Sequence, residues 1–439
     1  MMTRTSSREK RDRVPATWLR SVLFVGLIWV LLPSTTLFAR SGAKGVLIIG
    51  GVDRLNGPMV TAEFYHGKTQ KFTCASLGKR NSATGACNST MAQARFYASV
   101  APLPGGRVLI AGGNGVGVIC LNSAEIYDSS TGKFTATGGM TDAHCFAHTT
   151  TVLQNGEVLI TGGEDETGNL VNTADIYDPA TGRFDCSALG GADPNTGYCL
   201  STLTDTRFLD TATLLKDGRV LIAGGSDGSI TSTAELFDPV SGTFGCSGLG
   251  GSNATTGFCN NTMTDSRENH TATLIETGPN AGDVLIAGGL DATGNVLQTA
   301  ELYSPATGKF IATGNMTHAR YLHTATPLSR KYIRGRYARD ILIAGGEDGT
   351  GTVLATAEVY DPVTATFKQI GAMTTPRALH TAVLLTSGPK KGYVLIAGGI
   401  DKAGNTLRSA ELFNPATGRF HATKSMRVAR SSADAVALP

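Results

Sequence analysis

Charge is scarce in this sequence, and what there is nearly cancels. Charged residues make up 17% of the chain, aromatics 7%, and tryptophan occurs twice. The formal net charge of +3 comes from the first 39 residues, which hold six Arg or Lys and two acids. The remainder carries 32 basic and 33 acidic residues, a net charge of −1. That balance gives no electrostatic footprint for nucleic acid or an anionic membrane. A single apolar run, Val22 to Leu32, has eleven residues, whereas a spanning helix needs roughly 20. No C-x-x-C spacing occurs, which argues against zinc. There is no nucleophile elbow, phosphate loop or pair of candidate catalytic carboxylates outside the repeated text described below. No cofactor is expected.

Glycine is abundant, with 55 residues, alongside many Val, Ile and Thr. That mixture favours an all-β protein with many tight turns. The first 39 residues read as a signal peptide, with a basic stretch, the short apolar run and then PSTTLFA, where Ala39 is a plausible cleavage point. An uncleaved anchor is the alternative, because Leu37 is a mediocre residue at the position three before the cut. The mature chain is expected to be secreted, periplasmic or on the cell surface, with no membrane span. Eight cysteines fit such a compartment: Cys74, Cys87, Cys120, Cys145, Cys186, Cys199, Cys246 and Cys259. Six form three pairs of identical spacing, and disulfides are the expected use of all eight.

Internal repeats dominate the rest. A buried-strand run ending in two glycines appears as VLIIGG at Val46, VLIAGG at Val108, Val220, Val284 and Val394, VLITGG at Val158 and ILIAGG at Ile341. About ten residues after each comes a second run: AEFY at Ala62, AEIY at Ala124, ADIY at Ala174, AELF at Ala234 and Ala410, AELY at Ala300 and AEVY at Ala357. Most continue as D-P-x-T-G-x-F, a strand, tight turn and strand, with the glycine supplying positive φ in a three-residue hairpin loop. Ala365 stands where that glycine belongs in the sixth unit. A third run precedes each double glycine, as in HTATLI at His270, HTATPL at His323, HTAVLL at His380, HTTTVL at His148, DTATLL at Asp210 and ASVAPL at Ala98. Its seventh copy, ADAVALP from Ala433, is at the end of the chain.

Each unit thus has four strands, A (HTATLL), B (VLIAGG), C (AELYD) and D (GKFTA). Four-stranded units repeated around a ring make a β-propeller, which protects its sheet edges by radial repetition. The count predicts seven blades in one domain over residues 43–439, with the C-terminal strand A pairing with the N-terminal strand B to close the ring.

The diglycine after an apolar strand, the Tyr about a dozen residues on and the M-x-x-x-R-x-x-H lead into strand A, as in MTHARYLH from Met316, resemble the kelch repeat. The resemblance covers essentially the whole mature chain and is specific for fold, not function. Phe stands where many kelch repeats carry Trp, and the cysteine-bounded insertions are a further departure.

A residue present in every blade answers a need that every blade shares. The strand C acids (Glu63, Glu125, Asp175, Glu235, Glu301, Glu358, Glu411) and the arginines ahead of strand A (Arg95, Arg207, Arg267, Arg320, Arg377, Arg430) therefore read as inter-blade ion pairs. His144 takes the remaining arginine slot. The kelch resemblance implies a second, ligand-contacting role for some of these arginines. The histidines that start strand A read as local hydrogen-bonding groups before metal ligands. The Asp after the diglycine reads as an Asx turn before a calcium ligand.

Because the strands alternate in direction, loops B–C and D–A share one face. All three cysteine insertions fall between D and A, and a Cys120–Cys145 bond would join a B–C loop to a D–A loop on the same face. These features predict a non-catalytic, monomeric binding propeller for an extracellular glycan or protein. Its expected contact residues surround the D–A entry to the channel: His144, Arg207, Asp210, Arg267, Asn269, Arg320 and Tyr321. The alternatives are a copper-radical oxidase similar to galactose oxidase, which needs a Tyr crosslinked to a free Cys, and a structural or adhesion component.

Overall fold

The computed structural model describes residues 44–438, apart from 56, 77–86, 118, 330 and 332–335. The expected signal segment lies outside them. Seven four-stranded antiparallel sheets follow one another around a ring. Blade 5 is typical, with strands at Thr271–Leu274, Val284–Ala287, Ala300–Ser304 and Lys309–Ala312 for A to D. The ring closes as the repeat implies: Asp434–Leu438 pairs antiparallel with Gly45–Ile49, opposing Leu438 to Gly45 and Asp434 to Ile49.

Strand B is buried on both faces, because each sheet is sandwiched between two neighbours. Hence it reads as an unbroken apolar run and not as an alternating one. Leu285, for example, packs in one cluster with Met316 and Tyr360 of blade 6, while Val284 and Ile286 pack in another with Leu221 of blade 4. On strands C and D an aromatic pair such as Tyr303–Phe310, with ring centroids 5.0 Å apart, fills the outer part of the blade. The same pairing recurs in all seven blades.

The diglycine is required twice over. Gly288 and Gly289 have φ of 66° and 98°, a region that favours glycine. A Cβ on Gly288 would stand 2.4 Å from the Arg320 carbonyl oxygen, and one on Gly289 2.9 Å from His270 Cβ. The C–D hairpin differs from the expected one. Asp178 opposes Arg183, so the loop is the four residues 179–182, with the positive φ of Gly182 (72°) at its end. Ala365 keeps that conformation, with φ of 55°.

Candidate functional site at the channel mouth

The repeated arginines are latches. Arg320 is completely buried. Its Nη1 donates to Gly345 O (2.6 Å) and Thr356 O (3.2 Å), and its Nη2 to Glu358 Oε1 (2.9 Å). Burial pulls its pKa down, opposed by the Glu358 charge. All of these partners belong to the blade that Arg320 introduces. The latch therefore ties a D–A loop to strands B and C of one sheet, which corrects the inter-blade ion pair expected from sequence. Arg207–Glu235, Arg267–Glu301 and Arg430–Glu63 repeat the arrangement, the last across the ring closure. In blade 3, His144 and Asp175 replace it.

The histidines of strand A do bridge blades. His270 Nε2 meets Thr211 Oγ1 of blade 4 (3.0 Å), His323 meets Thr271 (3.1 Å), His380 meets Thr324 (3.0 Å) and His148 meets Ser99 (2.7 Å). Burial, with help from the Arg267 charge, pushes the His270 pKa down to about 3, so this imidazole is neutral. Three slots depart from the pattern: Asp210 in blade 4, Ala98 in blade 2 and Ala433 in blade 1. The Asp after the diglycine makes the expected Asx turn, with Asp291 Oδ1 accepting from Thr293 N and Asn295 N, both at 2.8 Å. Among the described residues, no three His, Cys, Asp or Glu side chains form a set that could hold a metal.

Just ahead of each strand A stands a residue in the left-handed region: Tyr97, Ala147, Leu209, Asn269, Leu322, Leu379 and Ser432, with φ between 50° and 61°, joined in blade 3 by Phe146 at 45°. Six of the seven seams are joined by a backbone bond between these residues, as where Leu322 N donates to Asn269 O (3.4 Å). The strained conformation is held by this ring. At the seventh seam Phe146 N turns instead to Asn114 Oδ1 (3.1 Å). Inside the ring, Phe96, Tyr97, Leu322, Val353, Ala378, Leu379 and Ile400 pack as one buried cluster. Because they come from opposite sides of the ring, they plug the D–A end of the channel.

The seven expected contact residues are thus mostly interior. His144, Arg207, Asp210, Arg267, Asn269 and Arg320 are buried. Tyr321 is partly exposed and donates to Glu347 Oε1 (3.1 Å). Sequence reasoning passed over Glu268, which occupies the slot of Phe96, Phe208 and Tyr321. It also passed over the exposed side chains of the rim. Leu55 is 89% exposed, Val116 68% and Ile119 63%, all on the B–C loops of blades 1 and 2. Tyr198 and Leu200, in the insertion before blade 4, are exposed as well. The signal was available: in those B–C loops the polar text of blades 3, 5, 6 and 7 (DETGN, DATGN, DGTGT and DKAGN) gives way to apolar residues.

The same face holds the four disulfides, Cys74–Cys87, Cys120–Cys145, Cys186–Cys199 and Cys246–Cys259. No cysteine is free, so none is available for the Tyr crosslink that a copper-radical oxidase needs. Four disulfides point to an oxidising compartment. No helix among the described residues is long and apolar enough to cross a membrane.

The kelch motif matches residues 337–374, which hold strands B, C and D of blade 6. No curated protein matches the chain. A solved structure entitled "Structure of YjhT" aligns with 75% of this chain and 97% of its own at a TM-score of 0.53 and 11% identity, a likeness of fold. With the matched unit repeated in all seven sheets and the ring closed between its two ends, the chain belongs to the kelch-repeat β-propellers.

Proposed function

We propose that this propeller is a non-catalytic binding module of an oxidising, extracytoplasmic compartment, and that it takes a protein partner on the face of its B–C and D–A loops. The observation that carries this reading is the contrast between blades on that face. Among the described residues, the B–C loops of blades 3 to 7 expose no large apolar side chain, while those of blades 1 and 2 expose Leu55, Val116 and Ile119, with Tyr198 and Leu200 beyond. Aliphatic side chains held this far into solvent mark interaction sites when they cluster. Cys120–Cys145 and Cys186–Cys199 hold the loops that carry all of these but Leu55, which lowers the ordering cost of binding. A protein fits better than a glycan because four of these five side chains are aliphatic, and Tyr198 is the one aromatic ring among them.

The test is capture of partners from the surrounding medium by the oxidised protein, followed by affinity measurement with the purified partner. Leu55→Glu with Ile119→Glu should abolish binding, while Val240→Glu on the opposite face leaves it unchanged. Binding that survives the double substitution, or that is competed by simple sugars, removes the reading.

A further inference from the structure

The apolar plug of the channel mouth is interrupted at blade 5. Where other blades carry Phe96–Tyr97, Phe208–Leu209, Tyr321–Leu322 and Ala378–Leu379, blade 5 carries Glu268–Asn269. Glu268 is 7% exposed and Asn269 2%. Neither end of the Asn269 amide meets a hydrogen-bond partner. Burial alone pushes the Glu268 pKa up to about 7, with no cation beside it to oppose the rise. Asn269 N donates to Leu209 O (3.3 Å), and the residue after Leu209, Asp210, turns its Oδ1 the other way, toward Gly162 of blade 3. Asp210 fills a slot where four blades place an imidazole, and neither of its oxygens meets a partner on another residue. Burial, opposed by the Arg207 charge and reinforced by Glu235, pushes its pKa up to about 7.

Buried polar groups without partners cost free energy and are rare in folded proteins. Asn269 is such a group, in a slot that Leu322 and Leu379 fill in blades 6 and 7, and with Glu268 beside it the notch is a site built for something that is polar. The surroundings set its sign. The B–C loops of blades 3 to 6 (162–173, 224–233, 288–299 and 345–356) carry seven carboxylates and no Lys, Arg or His. The basic residues of the B–C loops, Arg54, Lys402 and Arg408, belong to blades 1 and 7. Such a field concentrates cations at the mouth. Phe208 and Tyr321, both half-buried, occupy the equivalent slots on either side.

Resting on the proposed binding role of this face, we propose that the notch at blade 5 receives an alkylammonium group, with Glu268 and Asn269, whose counterparts Phe96–Tyr97 and Tyr321–Leu322 pack at the mouth, as its acceptors. An ammonium has three donors and no acceptor, which matches the two carboxylate oxygens of Glu268 and the amide oxygen of Asn269. The group arrives on a lysine side chain of the bound protein or on a free diamine.

Calorimetric titration of the intact, oxidised protein tests this with cadaverine, with an acetylated lysine-containing peptide, and with 1,5-pentanediol as the uncharged control. Saturable binding of at least one amine and none of the diol is expected. Cadaverine and peptide binding alike shows that a free amine suffices; peptide binding alone shows that the ammonium comes on a polypeptide. Asn269→Leu, which restores the residue of blades 6 and 7, should weaken binding about tenfold or more, as loss of a hydrogen bond to a charged group does. Glu268→Gln should do the same, with circular dichroism and melting temperature showing that both variants are folded. No saturable binding of either amine, or unchanged affinity in both variants, overturns the proposal. That result leaves the apolar rim of blades 1 and 2 as a separate question, answered by the Leu55 and Ile119 substitutions.

Discussion

His144 and Asp175 meet at 3.2 Å with neither side chain exposed, in the one blade where an Arg–Glu latch is missing. His144 Nδ1 also lies 2.7 Å from Gly162 O. Both ring nitrogens therefore face acceptors, which requires the protonated imidazolium. Burial opposes that charge, but the hydrogen bond and attraction of Asp175, with smaller help from the Gly162 carbonyl and Asp142, leave the His144 pKa raised. His148, whose ring centroid lies 6.3 Å away, is neutral, its pKa pushed down to about 3 by burial and by His144.

The first prediction follows from the sign of that shift. A histidine whose pKa is raised on folding contributes stability that is fully present below its unfolded value, near 6.5, and is lost as pH rises through the folded value. His144→Arg supplies a permanent charge and restores the latch of the other blades. Its stabilising effect should grow from pH 5 to pH 9 by about 1–3 kcal/mol, the worth of a hydrogen bond to a charged group. Urea midpoints at the two pH values measure it. An effect independent of pH means that the ring is neutral throughout.

The second concerns ring closure. Arg430 donates to Gly50 O (2.7 Å), Thr61 O (3.1 Å) and Glu63 Oε1 (3.2 Å), tying the last D–A loop to the first sheet. Arg430→Met leaves the Glu63 carboxylate buried without its partner, which costs about 3–5 kcal/mol. Arg320→Met breaks an identical latch within continuous chain and should cost a similar amount at equilibrium. The two differ in what they open. Hydrogen exchange should show the amides of Gly45–Ile49 losing protection in Arg430→Met and keeping it in Arg320→Met.

These latches show where sequence reasoning reaches its limit. The seven blades, their strand order and the closure were legible because each strand is written seven times, and repetition averages out local ambiguity. The roles of Arg320 and His323 were not. Spacing tells that an Arg and a His lead into strand A, but not that the guanidinium turns back into its own blade while the imidazole crosses to the one before. Glu268 was passed over because it sits within the R-x-x-H frame of RENH, which reads as one more copy of the repeat. Only its burial with no cation beside it sets it apart. The hairpin loop was one residue too short in the sequence reading because the D-P-x-T-G text fixes where positive φ falls, and not which residues pair across it.

The third prediction compares disulfides. Cys120 and Cys145 are separated by 25 residues, Cys246 and Cys259 by 13. If the bonds act through the entropy of the unfolded chain, the shorter is worth about 3 kcal/mol and the longer about 0.5 kcal/mol more. The Cys120→Ser, Cys145→Ser double variant should therefore be slightly less stable than Cys246→Ser, Cys259→Ser. Packing argues in the same direction, since Cys120 and Cys145 form a small buried cluster with Ala143 at the seam where the backbone ring is broken. Denaturant midpoints of the two double variants decide it, and a reversed order means that native-state contacts of the Cys246–Cys259 insertion outweigh loop length.

The fourth prediction lies outside any site. Ala365 holds φ of 55° at the end of its hairpin loop, where five other blades place glycine with φ from 66° to 72°. An L-residue in this region pays a steric cost that glycine escapes, while glycine gives up more backbone freedom on folding. Where φ is positive the steric term wins, so Ala365→Gly should stabilise the protein by about 1 kcal/mol. The mirror change, Gly308→Ala, should cost more than Ala365→Gly returns, because a Cβ at Gly308 would stand 1.9 Å from the Gly248 carbonyl oxygen. Gly308 packs against the insertion closed by Cys246–Cys259, and Asn261 Nδ2 donates to its carbonyl at 2.7 Å. The loss at this site should therefore include displacement of that loop, visible as faster reduction of Cys246–Cys259 by dithiothreitol. An unchanged reduction rate confines the cost of Gly308→Ala to the hairpin itself.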